Sequence, residues 1–135
     1  MIKLIIGNKG AGKTKKLIDL VNSCVENSDG NIVCIENEPK LTYDVSSKAR
    51  LLETDTYSIR GHKAFYGFLA GICAGNYDVT DILIDATFKI VGREFEKLPQ
   101  FFDILSETSD VNFYFTLSCD KEDLPVEIFD YCEEA

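Results

Sequence analysis

Short apolar runs alternate along the chain with longer segments in which apolar residues recur at helical spacing. The runs cover residues 2–6, 32–35, 81–85 and 111–117. Continuous apolar runs of this length are typical of strands that are buried on both faces of a parallel sheet. The pattern therefore predicts these ranges as the core strands of the protein.

The segments between the runs predict helices. Leu17, Val21 and Val25 mark an apolar face over residues 14–27, and the turn formers at 27–31 end it. The same kind of spacing predicts further helices over 61–76, over 94–108 and, as a short terminal helix, within 122–134.

Residues 40–60 give the weakest pattern. Residues 50–54 form a short strand, with Thr56–Ile59 as its extension, or the stretch is a mobile loop. The remaining alternation of strands and helices predicts right-handed βαβ units. We therefore expect an α/β fold, a three-layer sandwich with a mostly parallel central sheet of four or five strands. At 135 residues the chain is expected to form a single domain over 1–135.

A glycine-rich loop follows the first predicted strand and opens the first helix. Its sequence, Gly-Asn-Lys-Gly-Ala-Gly-Lys-Thr at 7–14, satisfies the pattern G-x-x-x-x-G-K-[ST] in that context. Glycines let successive backbone N–H groups face one concavity, which can hold phosphate oxygens near the helix N-terminus. Lys13 is placed to reach the outer phosphates, and the Thr14 hydroxyl to ligate Mg²⁺. The residues expected to contact a nucleotide are Gly7, Asn8, Lys9, Gly10, Ala11, Gly12, Lys13, Thr14 and Lys15.

Polar residues follow the other predicted strands at the same edge of the sheet. In parallel α/β sheets the ligand lies beyond the carboxyl ends of the strands. Asp85 ends the apolar stretch 82–84, in the Walker B pattern, and a carboxylate there can hold Mg²⁺ with Thr14. Glu36 and Glu38 follow the second strand. These positions predict a metal–nucleotide site.

The two motifs together resemble those of the P-loop nucleoside triphosphatases. The resemblance implies a bound ATP with Mg²⁺, and Lys13 as a catalytic group that stabilises charge on the phosphates. Within that superfamily the chain is similar to the RecA-like branch, and to small bacterial ATP-binding proteins. Members with Glu beside the Walker B Asp polarise water there, but this chain has Ala86.

The RecA-like branch instead carries its catalytic Glu at the end of the second strand. Glu38 stands at the matching distance from the loop lysine, and Glu36 is the neighbouring alternative. In that branch a polar residue at the end of an intervening strand senses the terminal phosphate. Thr116 or Ser118 would occupy this position here. The resemblance thus implies that strand 111–117 lies between the first strand and the Asp85 strand.

Three functions are compatible with these residues. The first is an ATP-binding protein with slow Mg²⁺-dependent hydrolysis. The second is a small-molecule or nucleoside kinase, against which the count of only three arginines weighs. The third is a nucleotide-dependent adaptor with little turnover. Arg60 and Arg93 are either arginine fingers or surface residues, and His62 is either an acid–base group or a surface residue.

Charge and cysteine usage limit the partners. The chain has 14 Lys and Arg against 23 Asp and Glu, a net charge of −9, which argues against a broad nucleic-acid surface. The five cysteines are widely spaced and fit a reduced, cytoplasmic protein. No apolar stretch reaches the roughly 18 residues of a membrane span, so no membrane partner is expected. A homo-oligomer or another protein partner remains open.

Overall fold

The computed structural model describes every residue from Met1 to Ala135, and a six-stranded parallel sheet forms its centre. The strands are β1 (Ile2–Ile6), β2 (Asn31–Glu36), β3 (Arg50–Glu53), β4 (Val79–Ile84), β5 (Asn112–Leu117) and β6 (Glu133–Glu134).

The strand order across the sheet is β3-β2-β4-β5-β1-β6. β5 lies between β1 and β4, because Phe113 pairs with Ile2 on one side and with Ile82 on the other. The position expected for strand 111–117 is therefore confirmed. Since all pairings are parallel, the carboxyl ends of the strands share one edge of the sheet.

The prediction of four or five strands was too low. β3 pairs with β2, so the strand alternative for residues 50–54 is correct. Thr56–Ile59 does not extend it, because a 3₁₀ turn at Asp55–Tyr57 follows. β6 pairs only at Lys3↔Glu133 and the next position. A short, exposed edge strand does not need an apolar pattern, which explains why β6 went unpredicted.

Four α-helices flank the sheet: α1 (Lys13–Asn27), α2 (His62–Gly75), α3 (Thr87–Val91) and α4 (Leu98–Thr108). The helix predicted over 94–108 starts later, at Leu98, after a 3₁₀ turn at Phe95–Lys97. Pro99 stands in the first turn of α4, where its missing N–H has no helical partner to lose. α3 was not predicted, since five residues are too few to show a period.

The predicted terminal helix within 122–134 is wrong. That stretch forms two 3₁₀ turns, Lys121–Asp123 and Val126–Asp130, and then β6. Ala135 donates its N–H to the Leu4 carbonyl at 2.8 Å, so the C-terminus is tied to the sheet edge. None of the helices is both long and apolar enough to cross a lipid bilayer.

Apolar side chains pack on both faces of the sheet. Ile82 and Ile84 of β4 belong to a core beneath α2, α3 and α4, whereas Leu83 joins a smaller core beneath α1. Alternate residues of a strand point to opposite faces, so an apolar run serves both cores. The fold is a Rossmann-like α/β fold, and the buried polar residues Glu36 and Thr116 lie near the carboxyl ends of their strands.

Candidate functional site

The carboxyl ends of β1, β2, β4 and β5 border one cavity of about 530 Å³. The glycine-rich loop lines it after β1, Glu36 at the end of β2, and Asp85 after β4. Thr116 and Ser118 line it from the end of β5. The polar strand-end residues named from the sequence therefore lie together.

Two glycines give the loop a shape that other residues rarely adopt. Gly10 has a φ of 89° and Gly12 a φ of 83°, both in the left-handed region. Gly12 stands directly before α1, and its carbonyl accepts a hydrogen bond from the Lys16 N–H at 3.1 Å. The first N–H groups of α1 have no intrahelical acceptor. They are therefore free to bind an anion at the cavity wall.

The outer part of the loop supports it without lining the cavity. Gly7 donates its N–H to the Leu117 carbonyl at 3.2 Å, and a Cβ on Gly7 would stand 2.9 Å from that of Ala11. The Asn8 amide donates a hydrogen bond to Asp120. Gly7, Asn8 and Ala11 thus hold the loop, while Lys9, Gly10, Gly12 and the residues that follow line the cavity.

Lys13 is the loop's buried cation. Its side chain is folded back, and Nζ donates to the Asn8 carbonyl at 3.1 Å. Lys15 also lines the cavity, but its ammonium lies 3.4 Å from Asp19 on the exposed face of α1. The Lys13 ammonium therefore contacts the loop, whereas the Lys15 ammonium contacts α1.

Thr14 and Asp85 meet across the cavity floor. The Thr14 hydroxyl lies 3.2 Å from Asp85 Oδ2 and 3.4 Å from Oδ1. A hydroxyl and a carboxylate are hard oxygen ligands of the kind that Mg²⁺ takes. No cluster of three or more His, Cys, Asp or Glu occurs anywhere in the molecule. A metal ion at this position would thus be held by the Thr14 hydroxyl and the Asp85 carboxylate, together with water or phosphate oxygens.

Thr116 fixes the orientation of Asp85. The buried Thr116 hydroxyl donates to Asp85 Oδ1 at 2.8 Å and accepts the Ala86 N–H at 2.8 Å. Asp85 in turn donates its own N–H to the Ile35 carbonyl at 2.8 Å. Ala86 has a φ of 53°, an uncommon value for a residue with a Cβ. This turn directs α3 back over the cavity.

Glu36 is a buried carboxyl at the cavity wall. Its side chain accepts the backbone N–H groups of Lys40 at 2.8 Å and Leu41 at 3.2 Å, both at Oε1. Oε2 is buried and has no hydrogen-bond partner. Burial raises the pKa of Glu36, although the two N–H groups lower it. The two N–H groups thus hold the side chain in place through Oε1, its pKa is raised, and Oε2 has no partner.

Glu38 also lines the cavity but is exposed. No hydrogen bond or ion pair fixes its side chain. The two acids thus differ in burial and in their contacts: the Glu36 side chain is held by two backbone N–H groups, and the Glu38 side chain is not held.

Two charged residues that line the cavity, Lys40 and Lys89, were not identified from the sequence. Lys40 follows β2, and Lys89 lies in α3 four positions after Asp85. The Lys40 ammonium lowers the pKa of Lys89, so the two charged ends lie close together. No motif spacing links the two lysines, and no pattern in the sequence singled out either of them.

The other candidates lie outside this cavity. Arg60 pairs with Asp55 at 2.9 Å and borders a separate cavity of about 480 Å³ with His62. Arg93 donates to the Ser118 carbonyl at 3.0 Å and stacks against two phenylalanine rings. Burial lowers the pKa of His62, whose ring packs edge-on against Phe101. None of the three lines the cavity at the glycine-rich loop.

No protein-family model matches the chain, and no curated protein shows significant sequence similarity to it. The cavity combines free helix N–H groups, a buried lysine, a hydroxyl–carboxylate pair and a fixed carboxylate. Such a set can bind a phosphate chain with a divalent cation and can orient a water molecule against it.

Proposed function

We propose that this chain binds ATP with Mg²⁺ and hydrolyses it slowly, as a P-loop nucleoside triphosphatase of the RecA-like branch. The observation that carries the proposal is the contact of Thr14 with Asp85 at 3.2 Å, in the cavity that the glycine-rich loop also lines. The position of β5 between β1 and β4 supports the RecA-like assignment, because the resemblance implies that order.

The donor set fits magnesium. Both candidate ligands are oxygens, and Mg²⁺ uses few protein ligands besides water and substrate phosphates. When bound, the ion neutralises charge on the phosphate oxygens. Thr116 would hold the Asp85 carboxylate in place by the hydrogen bond that it already makes at 2.8 Å.

Lys13 would contact the outer phosphates. Its ammonium donates to the Asn8 carbonyl. A charged phosphate oxygen would replace this neutral acceptor, because hydrogen bonds between oppositely charged groups are stronger. The N–H groups at the start of α1 bind the same phosphates. Both are fixed by the backbone, so they stabilise developing charge without rearranging.

Glu36 would orient the attacking water through Oε2, the oxygen without a partner. The water oxygen forms a bond to the terminal phosphorus, and the bond from that phosphorus to the bridging oxygen breaks. The water proton passes to the Glu36 carboxylate, whose pKa is raised by burial, and then to solvent. The products are ADP, inorganic phosphate and a proton.

Slow turnover follows from what surrounds the cavity. Neither Arg60 nor Arg93 lines it, so no arginine faces the phosphates from within this chain. Arginine fingers accelerate such reactions by about 10³–10⁵-fold. The residue after Asp85 is Ala86, which supplies no second carboxylate.

The test compares the parent chain with Lys13→Ala. We expect Lys13→Ala to reduce ATP hydrolysis at least about 100-fold, the usual loss on removal of a preorganised charge donor. Lys16→Ala is the matched control, because Lys16 is the exposed neighbour that does not line the cavity. Calorimetric nucleotide titration and phosphate release are the measurements. Equal affinity and turnover in the parent and Lys13→Ala would overturn the proposal.

The same assay separates hydrolysis from transfer to an acceptor. Nucleosides and sugars are added to the parent protein, and ADP release is compared with the rate in water alone. Acceptor-stimulated release identifies a kinase, and tight binding without release identifies a nucleotide-dependent adaptor. GTP is tested in parallel, since the chain has no Asn-Lys-x-Asp motif for reading guanine.

A further inference from the structure

Three lysines from separate elements converge on the mouth of the nucleotide cavity. Lys9 belongs to the glycine-rich loop, Lys40 to the turn after β2, and Lys89 to α3. Lys40 lowers the pKa of Lys89 most, and Lys9 lowers it further. Glu38 acts in the opposite direction and raises that pKa. The three ammonium groups thus share one region of the surface.

None of these lysines has an acidic partner. The ion pairs of the molecule involve Lys15, Arg60, Lys97 and Lys121. In a chain of net charge −9, unpaired lysines gathered at one place are unusual. Like charges at close range are unfavourable unless an anion lies among them.

The backbone holds two of the lysines in position. The Lys40 N–H donates to Glu36 Oε1 at 2.8 Å, which anchors the turn after β2. Lys89 lies in α3, whose start is fixed by the hydrogen bond from the Ala86 N–H to Thr116 at 2.8 Å. The fold therefore fixes the backbone positions from which Lys40 and Lys89 line the same cavity.

A second observation also indicates a ligand at this wall. Glu36 is only 3% exposed, and its Oε2 atom is buried without a hydrogen-bond partner. Buried polar atoms are normally paired, and a carboxylate oxygen takes a hydrogen-bond donor, so its partner would be a water molecule that stands between Glu36 and the bound group. Glu36 lines the same cavity as Lys9, Lys40 and Lys89.

We infer that Lys9, Lys40 and Lys89 form a phosphate-binding subsite beyond the glycine-rich loop, an inference that rests on the proposed function. The group bound is a phosphoryl group, either the terminal phosphate of the nucleotide or a phosphate on a second substrate. With no arginine lining the cavity, these lysines supply its outer positive charge. Ammonium groups bind phosphate as point charges, so the sum of several lysines matters more than the exact geometry of one.

The first experimental arm measures the affinities of ATP and ADP by calorimetry. The variant is Lys40→Ala/Lys89→Ala, and the control is Lys48→Ala/Lys63→Ala, which removes equal charge from exposed sites outside the cavity. If the subsite takes the terminal phosphate, the variant loses about 10–100-fold in ATP affinity, and ADP affinity changes by less than about threefold. The control keeps the parent's ratio of ATP to ADP affinity.

The second arm identifies a phosphate from another molecule. The protein is saturated with a non-hydrolysable ATP analogue and titrated with inorganic phosphate. Phosphate binding that the lysine variant loses and the control keeps assigns the subsite to a second substrate. An unchanged ATP-to-ADP ratio together with no lysine-dependent phosphate binding overturns the inference.

Failure of the proposed function has a different signature. In that case the parent binds neither nucleotide, whatever happens at Lys40 and Lys89. Nucleotide-free protein is then titrated with inorganic phosphate, and the lysine variant is again compared with its control. Equal phosphate binding in the two overturns the subsite independently of the nucleotide.

Discussion

The turns after β1 and β2 line the same cavity but are built in different ways. After β1 the backbone makes the site: glycines with positive φ, the start of α1, and a lysine bonded to the loop's own carbonyl. After β2 side chains make it, because Glu36 is fixed by the N–H groups of Lys40 and Leu41. The first turn is shaped by glycines at motif positions, and the second is shaped around a buried carboxyl that accepts the N–H groups four and five residues further along the chain. Variants at each can test whether this division also separates binding from turnover.

Glu36→Gln carries the largest effect expected on the β2 side. The amide keeps an oxygen for the two N–H groups but cannot take a proton, so hydrolysis falls about 10²–10⁴-fold, as for loss of a general base. ATP affinity stays within about threefold, since the phosphates are bound by the β1 turn. Single-turnover phosphate release and calorimetry are the measurements.

The control for this prediction is Glu38→Gln, at an exposed acid that lines the same cavity. We expect little change in turnover. In the parent, activity should rise with pH as Glu36 loses its proton, and this rise should lie above the usual carboxyl pKa because burial raises the pKa. The Glu36→Gln variant should lack that limb. If Glu38→Gln is the variant that loses turnover, the assignment of the base is wrong.

Asp85→Asn tests the metal pair at the foot of α1. The amide can still accept the Thr116 hydrogen bond, but it loses the charge that attracts a cation. We expect the Mg²⁺ concentration for half-maximal ATP binding to rise about 10–100-fold, the range for losses at a metal site. Magnesium titrations at fixed ATP measure this. Asp29→Asn, at an exposed turn, is the isosteric control, and an equal shift in both variants would contradict the prediction.

The β1 turn illustrates what local sequence can predict. The motif at 7–14 specifies a strand, a turn with positive φ and a helix start, all within one continuous stretch. The structure has these elements, with β1 ending at Ile6 and α1 starting at Lys13. Apolar runs likewise predicted the inner strands, because strands buried on both faces must be apolar throughout.

The β2 turn illustrates what sequence could not predict. Spacing from the loop lysine favoured Glu38, with Glu36 as the alternative, and only the fold buries Glu36 and exposes Glu38. Lys40 and Lys89 are far apart in the sequence and line one cavity because the fold brings the turn after β2 beside the short helix α3. The edge strand β6 and the 3₁₀ turns before it were missed or misread for a related reason, since they lack a long apolar period.

Gly12→Ala tests the backbone basis of the β1 turn. A Cβ meets no atom within 4 Å there, so the strain comes from the φ of 83° alone. We expect the free energy of unfolding to fall by about 1–2 kcal/mol. Gly71→Ala is the control, in the exposed interior of α2 with ordinary φ, and should gain about 0.5–1 kcal/mol. Urea denaturation gives both values, and a loss of equal size in the two would remove the argument from φ.

Thr54→Val gives the smallest effect and tests the side-chain basis of the β2 turn. The fully buried Thr54 hydroxyl donates to Asn37 Oδ1 at 3.2 Å, beside the backbone bond from the Thr54 N–H to the Glu36 carbonyl at 2.8 Å. Valine keeps the shape and removes only the donor, so the free energy of unfolding should fall by about 0.5–1.5 kcal/mol.

The exposed Thr42→Val is its control and should leave stability unchanged. Because Asn37 adjoins Glu36, Thr54→Val should also lower turnover modestly while ATP affinity holds. Loss of ATP affinity without loss of turnover would mean that the turn after β2 binds the nucleotide, and the division between the two turns would then fail. If instead only turnover falls, the buried Thr54 hydroxyl acts by positioning Glu36. The motif at residues 7–14 gives no indication of such a role for Thr54.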